Sequence, residues 1–171
     1  MAVTYLPIDG ERVSAAWFPL LHDIRHIGKV VFVVGEGHRT WARQEELVRQ
    51  KGVWSPSNPT GAATPSDDAP HIWTGRADHA IDFAGDDAVG VDARQVIAAA
   101  RKRGVTLRQT ILPNEPWHVV PVLGDLLAYN ERRRKKLAGM RHRVARARKA
   151  AQKATRRLNA ARKTLKRWAI R

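Results

Sequence analysis

Two fragments gather most of the side chains able to hold a metal ion. "APHIWTGRADHAIDF" (69–83) carries His71, Asp78, His79 and Asp82, and "NEPWHVV" (114–120) places Glu115 three residues before His118. A hydrolytic metal centre needs three protein ligands with a fourth position left open. It also needs a carboxylate to take a proton from water and a cation or donor for the developing oxyanion. His71, Asp82 and His118 can be the ligands, Glu115 the base on the same rigid turn as His118, and Arg39 the cation. The chain has no cysteine, so a metal must rest on imidazoles and carboxylates. Each residue also has an ordinary reading. Strand-borne His and Asp are mostly structural, and His71 can be a surface histidine. Arg39 can pair with Glu45 or Glu46 on the helix that follows. Asp67 and Asp68 read as solvated loop acids. Trp41, Trp73 and Trp117 suit a substrate groove or a core equally.

These side chains need elements to position them. "RVSAAWFPLLHDIRHIG" (12–28) has apolar residues at helical spacing and predicts a helix, with Pro19 as a break and Gly28 as its stop. "KVVFVV" (29–34) predicts a strand, followed by a turn at "GEGH". "TWARQEELVRQKG" (40–52) predicts a helix with Thr40 as N-cap and Gly52 past its end. Residues 53–70, with four prolines and many small polar residues, predict a long loop of the kind that often carries function. "HAIDFAG" (79–85) predicts a strand, and "VDARQVIAAARKRG" (91–104) a helix ended by Gly104. Two more strands follow at 105–112 and 117–122. This order predicts an α+β domain with a small antiparallel sheet flanked by helices.

The 171 residues carry a net charge of +15, which on its face suggests a nucleic-acid binder. Its distribution argues otherwise. Residues 131–171 hold 18 Lys and Arg against Glu131 alone, whereas residues 1–130 hold 13 bases and 15 acids. From Leu137 to Trp168 apolar residues recur at alternating steps of three and four, a heptad seam that is half alanine. The division predicted is a catalytic domain over 1–125 and a basic amphipathic helical tail over 126–171. Such a tail attracts polyanions in a salt-dependent way, and its seam suits an anionic membrane surface. The opening "MAVTYLPIDGERV" lacks a basic region followed by an apolar run, so no signal peptide is expected. No run of 18 apolar residues offers a membrane span.

Three segments resemble, in order, those of the zinc D-Ala-D-Ala carboxypeptidase (VanY-type) and L-alanyl-D-glutamate endopeptidase family, which shares its fold with the hedgehog signalling domain. "GHRTWARQEEL" resembles G-Y/F-R-S/T-x-x-x-Q-x-x-L, "PHIWTGRADHAIDF" resembles S-x-H-x-x-G-x-A-x-D, and "EPWHVV" resembles E-x-W-H. The resemblance covers roughly residues 11–123. It implies Zn2+ held by His71, an aspartate and His118, with Glu115 as catalytic base and acid. It implies Arg39 as the group that binds the substrate carbonyl, and Gln44 as a supporting polar residue behind it. Two departures stand out. His38 occupies a position usually Tyr or Phe, and the family's seven-residue step from the first His leads to Asp78. Strand alternation favours Asp82 instead, because it puts Ala80 and Asp82 on one face and Ile81 and Phe83 on the other. That alignment requires a four-residue insertion after His71, leaves Asp78 as the alternate ligand, and frees His79 as a second alternate or a substrate-facing residue. The implied activity is a peptidoglycan peptidase acting on a stem peptide, of the phage endolysin type. Such an enzyme is made in the host cytoplasm, acts on the cell wall after release, and is expected to be a monomer with no specific nucleic-acid partner. The alternatives are a catalytically inactive wall-binding module of the same fold and a basic nucleic-acid-binding protein.

Overall fold

The computed structural model describes residues 4–58, 61–65, 71, 79–83, 91–110 and 115–168. The chain opens with a hairpin of β1 (Tyr5–Ile8) and β2 (Glu11–Ser14), paired antiparallel with Ile8 opposite Glu11. The two turn residues, Asp9 and Gly10, both have positive φ, 53° and 92°, the backbone of the tight turn that suits the right-handed twist of the strands. The Asp-Gly pair thus ends the expected helix over 12–28 before it begins. Val13 and Ser14 lie in a strand, and the helix α1 covers only Phe18–His22, continuing as one π-helical turn over Asp23–Ile27. Pro19 does not break that helix. It sits in the first turn, where a missing N–H costs nothing.

Four further strands, β3 (Val34–Glu36), β4 (Ile81–Phe83), β5 (Leu107–Gln109) and β6 (His118–Pro121), form an antiparallel sheet in the order β3-β4-β6-β5. The expected strand over 29–34 joins the sheet only at Val34. Phe32 is buried, but Val31 and Val33 face water and pair with no strand among the described residues. Helix α2 (Trp41–Lys51) forms as its local signals dictate. Thr40 Oγ1 accepts from Arg43 N at 3.3 Å, and Gly52 takes a positive φ of 75° at the C-terminal end. Helix α3 (Val91–Arg101) covers the sheet through small buried residues, Ala93, Val96, Ala99 and Ala100. The core forms where Trp17, Leu20, Leu21 and Ile24 meet the inward row Val34, Ile81, Phe83 and Val119.

Helix α4 spans Leu123–Trp168. Its opening turns belong to the folded unit. Leu126 and Tyr129 are buried, and Asn130 Nδ2 donates to Ala16 O at 2.7 Å. The chain divides into compact units after Asn130, and Leu126 and Tyr129 belong to the core. In the second unit the seam residues Leu137, Met140, Val144, Leu158, Leu165 and Trp168 are all exposed. Among the described residues no helix is long and apolar enough to cross a membrane.

Candidate metal centre

The period of two in β4 sends Ile81 and Phe83 into the core and leaves Asp82 on the opposite face. On that face Asp82 pairs across the sheet with His118 of β6 on one side and Glu36 of β3 on the other. The row through Glu36 depends on a β-bulge. Val34 pairs with Phe83, so a regular ladder would set Gly35 opposite Asp82. The observed register places one extra residue there and brings Glu36 opposite Asp82 instead. That insertion turns Glu36 from the core face to the face of the polar row.

His71 reaches the same point from outside the sheet. Its Nδ1 donates to Gly37 O at 2.9 Å, and its own carbonyl accepts from Arg39 N at 2.8 Å. The backbone of 37–39 thereby holds the imidazole from two sides. Gly37 is required where the chain passes β2, since a Cβ there would lie 2.2 Å from Arg12 O. With Nδ1 carrying its proton, His71 presents Nε2 as a lone pair. That atom stands 3.1 Å from His118 Nδ1 and 3.2 Å from Asp82 Oδ1, while His118 Nδ1 and Asp82 Oδ1 are 2.9 Å apart. The three atoms form a nearly equilateral triangle on residues that are buried or nearly so. Tetrahedral ligands about 2.05 Å from a zinc ion stand about 3.3 Å apart, so the triangle already has almost the required size.

The donor set also fits a cation chemically. His118 Nε2 is buried without a hydrogen-bond partner among the described residues. If the His118 proton sits there, Nδ1 adds a third lone pair aimed at the lone pairs of His71 and Asp82, a cluster that demands positive charge at its centre. When a proton rather than a metal ion occupies the triangle, burial acts to raise the Asp82 carboxyl, but hydrogen bonds from His118 and His71 outweigh it and hold the group far below the usual carboxylate range. Burial acts to lower His71, and its bond to Asp82 outweighs that and raises it. Both directions mark a site built to share positive charge. A divalent ion held by His71 Nε2, Asp82 Oδ1 and His118 Nδ1 would satisfy it without a proton, and the Gly37 carbonyl fixes the tautomer of His71 by accepting from its Nδ1.

Glu115 lies beside this triangle. Its Oε2 is 3.9 Å from His118 Nδ1 and its side chain is 40 % exposed, so it can meet a water at the mouth of the site. The turn that carries it is fixed at both ends. His118 N donates to Glu115 O at 3.0 Å, and Gln109 Nε2 donates to Pro116 O. Arg39 does not pair with Glu45 or Glu46. Glu45 accepts from Trp41 Nε1 and Glu46 from Arg43 and Gln50. The Arg39 guanidinium is gripped instead by both oxygens of Glu36 and by Gln44 Oε1, and its charge opposes protonation of His71. Gln44, 1 % exposed, is in turn anchored through Nε2 to Ala63 O at 2.6 Å.

His79 is a core histidine. Its Nε2 accepts from Ser14 N at 2.9 Å and its Nδ1 lies 2.7 Å from Ala80 O, so both nitrogens are committed away from the triangle. His38 packs against Tyr5 with ring centroids 4.3 Å apart. Trp41 is exposed. Asp78, Asp67, Asp68 and Trp73 lie outside the described residues. The residue that sequence reasoning passed over is Glu36, whose one signal is an acid three positions before Arg39 at a strand end.

No protein-family profile matches the chain, and no curated protein matches it. Two solved structures are similar. VanYB in complex with D-alanine-D-alanine is 20 % identical with a TM-score of 0.48, over 77 % of this chain and 84 % of that one. A mutant of the vancomycin-resistance D,D-pentapeptidase VanY from a VanB-type cassette, in complex with Zn(II), is 22 % identical with a TM-score of 0.47, over 75 % and 84 %.

Proposed function

We propose that the chain is a zinc-dependent peptidoglycan peptidase that hydrolyses an amide bond of a stem peptide. The observation that carries this reading is the convergence of His71 Nε2, Asp82 Oδ1 and His118 Nδ1, with Glu115 Oε2 3.9 Å from the last. Two segments far apart in sequence, each resembling a motif of one peptidase family, supply these four side chains. His71, Asp82 and His118 would hold a zinc ion, whose charge would polarise a carbonyl and acidify a water. Glu115 would take a proton from the attacking water and later deliver it to the leaving amine. Arg39, braced at the edge of the site, stabilises the oxyanion as it develops.

The reading extends to the endolysin type, made in the host cytoplasm and acting on the wall after release. What supports it is the second unit, whose dense positive charge and exposed seam suit a search for anionic wall polymers or a membrane surface. We take the active form to be a monomer, since a self-paired tail would set like charges against each other along the seam.

The deciding experiment is mass spectrometry of muropeptides digested with protein that has been stripped by chelator and then reloaded. New termini should appear only after zinc is restored, and Glu115→Gln should keep one zinc and produce none. Cleavage indifferent to chelator removes the metal mechanism. Zinc uptake without any cleavage by the wild type assigns the chain to an inactive wall-binding module.

A further inference from the structure

Glu36 takes no step in the reaction above, yet it shares the cross-strand row of Asp82 and His118. It reaches that row only through the bulge after Val34, a local irregularity that regular pairing of β3 would have avoided. Its two carboxylate oxygens take Nε and Nη2 of Arg39, while Gln44 Oε1 takes Nη1. An arginine has five N–H donors. Three are spent on these braces, and one on each terminal nitrogen remains without a partner among the described residues. The braced side chain is 14 % exposed, less than the 31 % of Glu36 itself. An unbraced arginine stem retains much rotamer freedom, and beside a divalent cation its charge would turn outward. The carboxylate of Glu36 answers both difficulties, because it fixes the plane of the guanidinium and offsets its charge.

We propose that Glu36 is the positioning residue for Arg39, holding the guanidinium so that its two remaining donors face the reacting carbonyl oxygen. The proposal rests on the peptidase reading for its kinetic consequence, but not for the brace itself. It assigns the bulge in β3 a purpose, since the bulge is what sends a carboxylate to this side of the sheet. It also makes Gln44 the fixed wall against which Glu36 presses the arginine, because Gln44 is buried and tied to Ala63.

The test compares wild type, Glu36→Ala, Glu36→Asp, Arg39→Ala and the double variant Glu36→Ala/Arg39→Ala. In zinc-loaded protein, Glu36→Ala should bind one zinc, lose about 10–100-fold in kcat and change KM little. Glu36→Asp should recover part of the loss, and the double variant should be no slower than Arg39→Ala. Independently of turnover, the Arg39 Nε–H resonance should be sharp and slowly exchanging in wild type, assigned by its absence in Arg39→Ala, and should be lost in Glu36→Ala. Multiplying losses in the double variant, or an unchanged Nε–H signal in Glu36→Ala, overturns the proposal. A wild type that cleaves nothing refutes the peptidase reading alone, and the resonance still decides whether Glu36 orients Arg39.

Discussion

Removing Asp82 should abolish the stabilisation that zinc gives the folded unit. Asp82 Oδ1 is the atom common to both imidazoles, 2.9 Å from His118 Nδ1 and 3.2 Å from His71 Nε2. A ligand that binds only the native state stabilises it by RT ln(1 + [L]/Kd), about 2.7 kcal/mol at a hundredfold excess over Kd. The folded unit spans Met1–Asn130. At an unfolding entropy of about 2.1 cal/mol/K per residue, that free energy corresponds to a rise in Tm of about 10 °C. Differential scanning calorimetry of chelated and zinc-saturated protein reads this directly. Asp82→Ala should melt at the same temperature with and without zinc, because two imidazoles alone leave the ion without an anionic ligand. Asp78→Ala should keep the full shift. The opposite pattern would show that strand alternation chose the wrong carboxylate. A wild type with no shift at all would refute the triangle as a metal site.

Gly37→Ala should cost about 1–3 kcal/mol as overpacking, because the new Cβ would meet the Arg12 carbonyl, which is backbone and cannot swing away; urea unfolding measures the loss, and zinc affinity should fall with it because Gly37 O orients His71. Asp9→Asn should destabilise the unit by about 1 kcal/mol at neutral pH, since Asp9 binds Arg25 and Val34 N while asparagine tolerates the same positive φ. Burial acts to raise the Asp9 carboxyl, but these bonds outweigh it and set it below its ordinary value. Its contribution is therefore complete above the unfolded value of about 3.9 and fades as pH falls through the lower folded value, so urea midpoints of the two proteins should converge in acid. Truncation after Asn130 should leave the melting temperature of the first unit unchanged, because Leu126, Tyr129 and Asn130 remain, and should abolish salt-sensitive sedimentation with anionic walls or vesicles while sparing cleavage of a soluble stem peptide. A lowered melting temperature would mean that residues beyond 130 contribute to the core.

What was legible in the sequence was what neighbours in the chain decide. Thr40 and Gly52 delimit α2 because capping is a contest among adjacent backbone groups, and "NEPWHVV" carries the Glu115–His118 turn within seven residues. The Asp9-Gly10 turn is equally local, but the apolar residues after it recur at helical spacing and mask its signal. Alternation along "HAIDF" separated Asp82 from Ile81 and Phe83 correctly, because a strand's period is set by its own pleat. A pairing register is different in kind. Whether Glu36 faces the core or the polar row depends on one extra residue in β3 relative to β4, and no property of "VVGEGH" taken alone records the strand it will lie against. The same holds for Val31 and Val33, which have strand chemistry and no partner strand among the described residues. Ligand identity could be argued from residue types, but the brace on Arg39 could not. It is a product of register, and register comes into being only when distant segments meet.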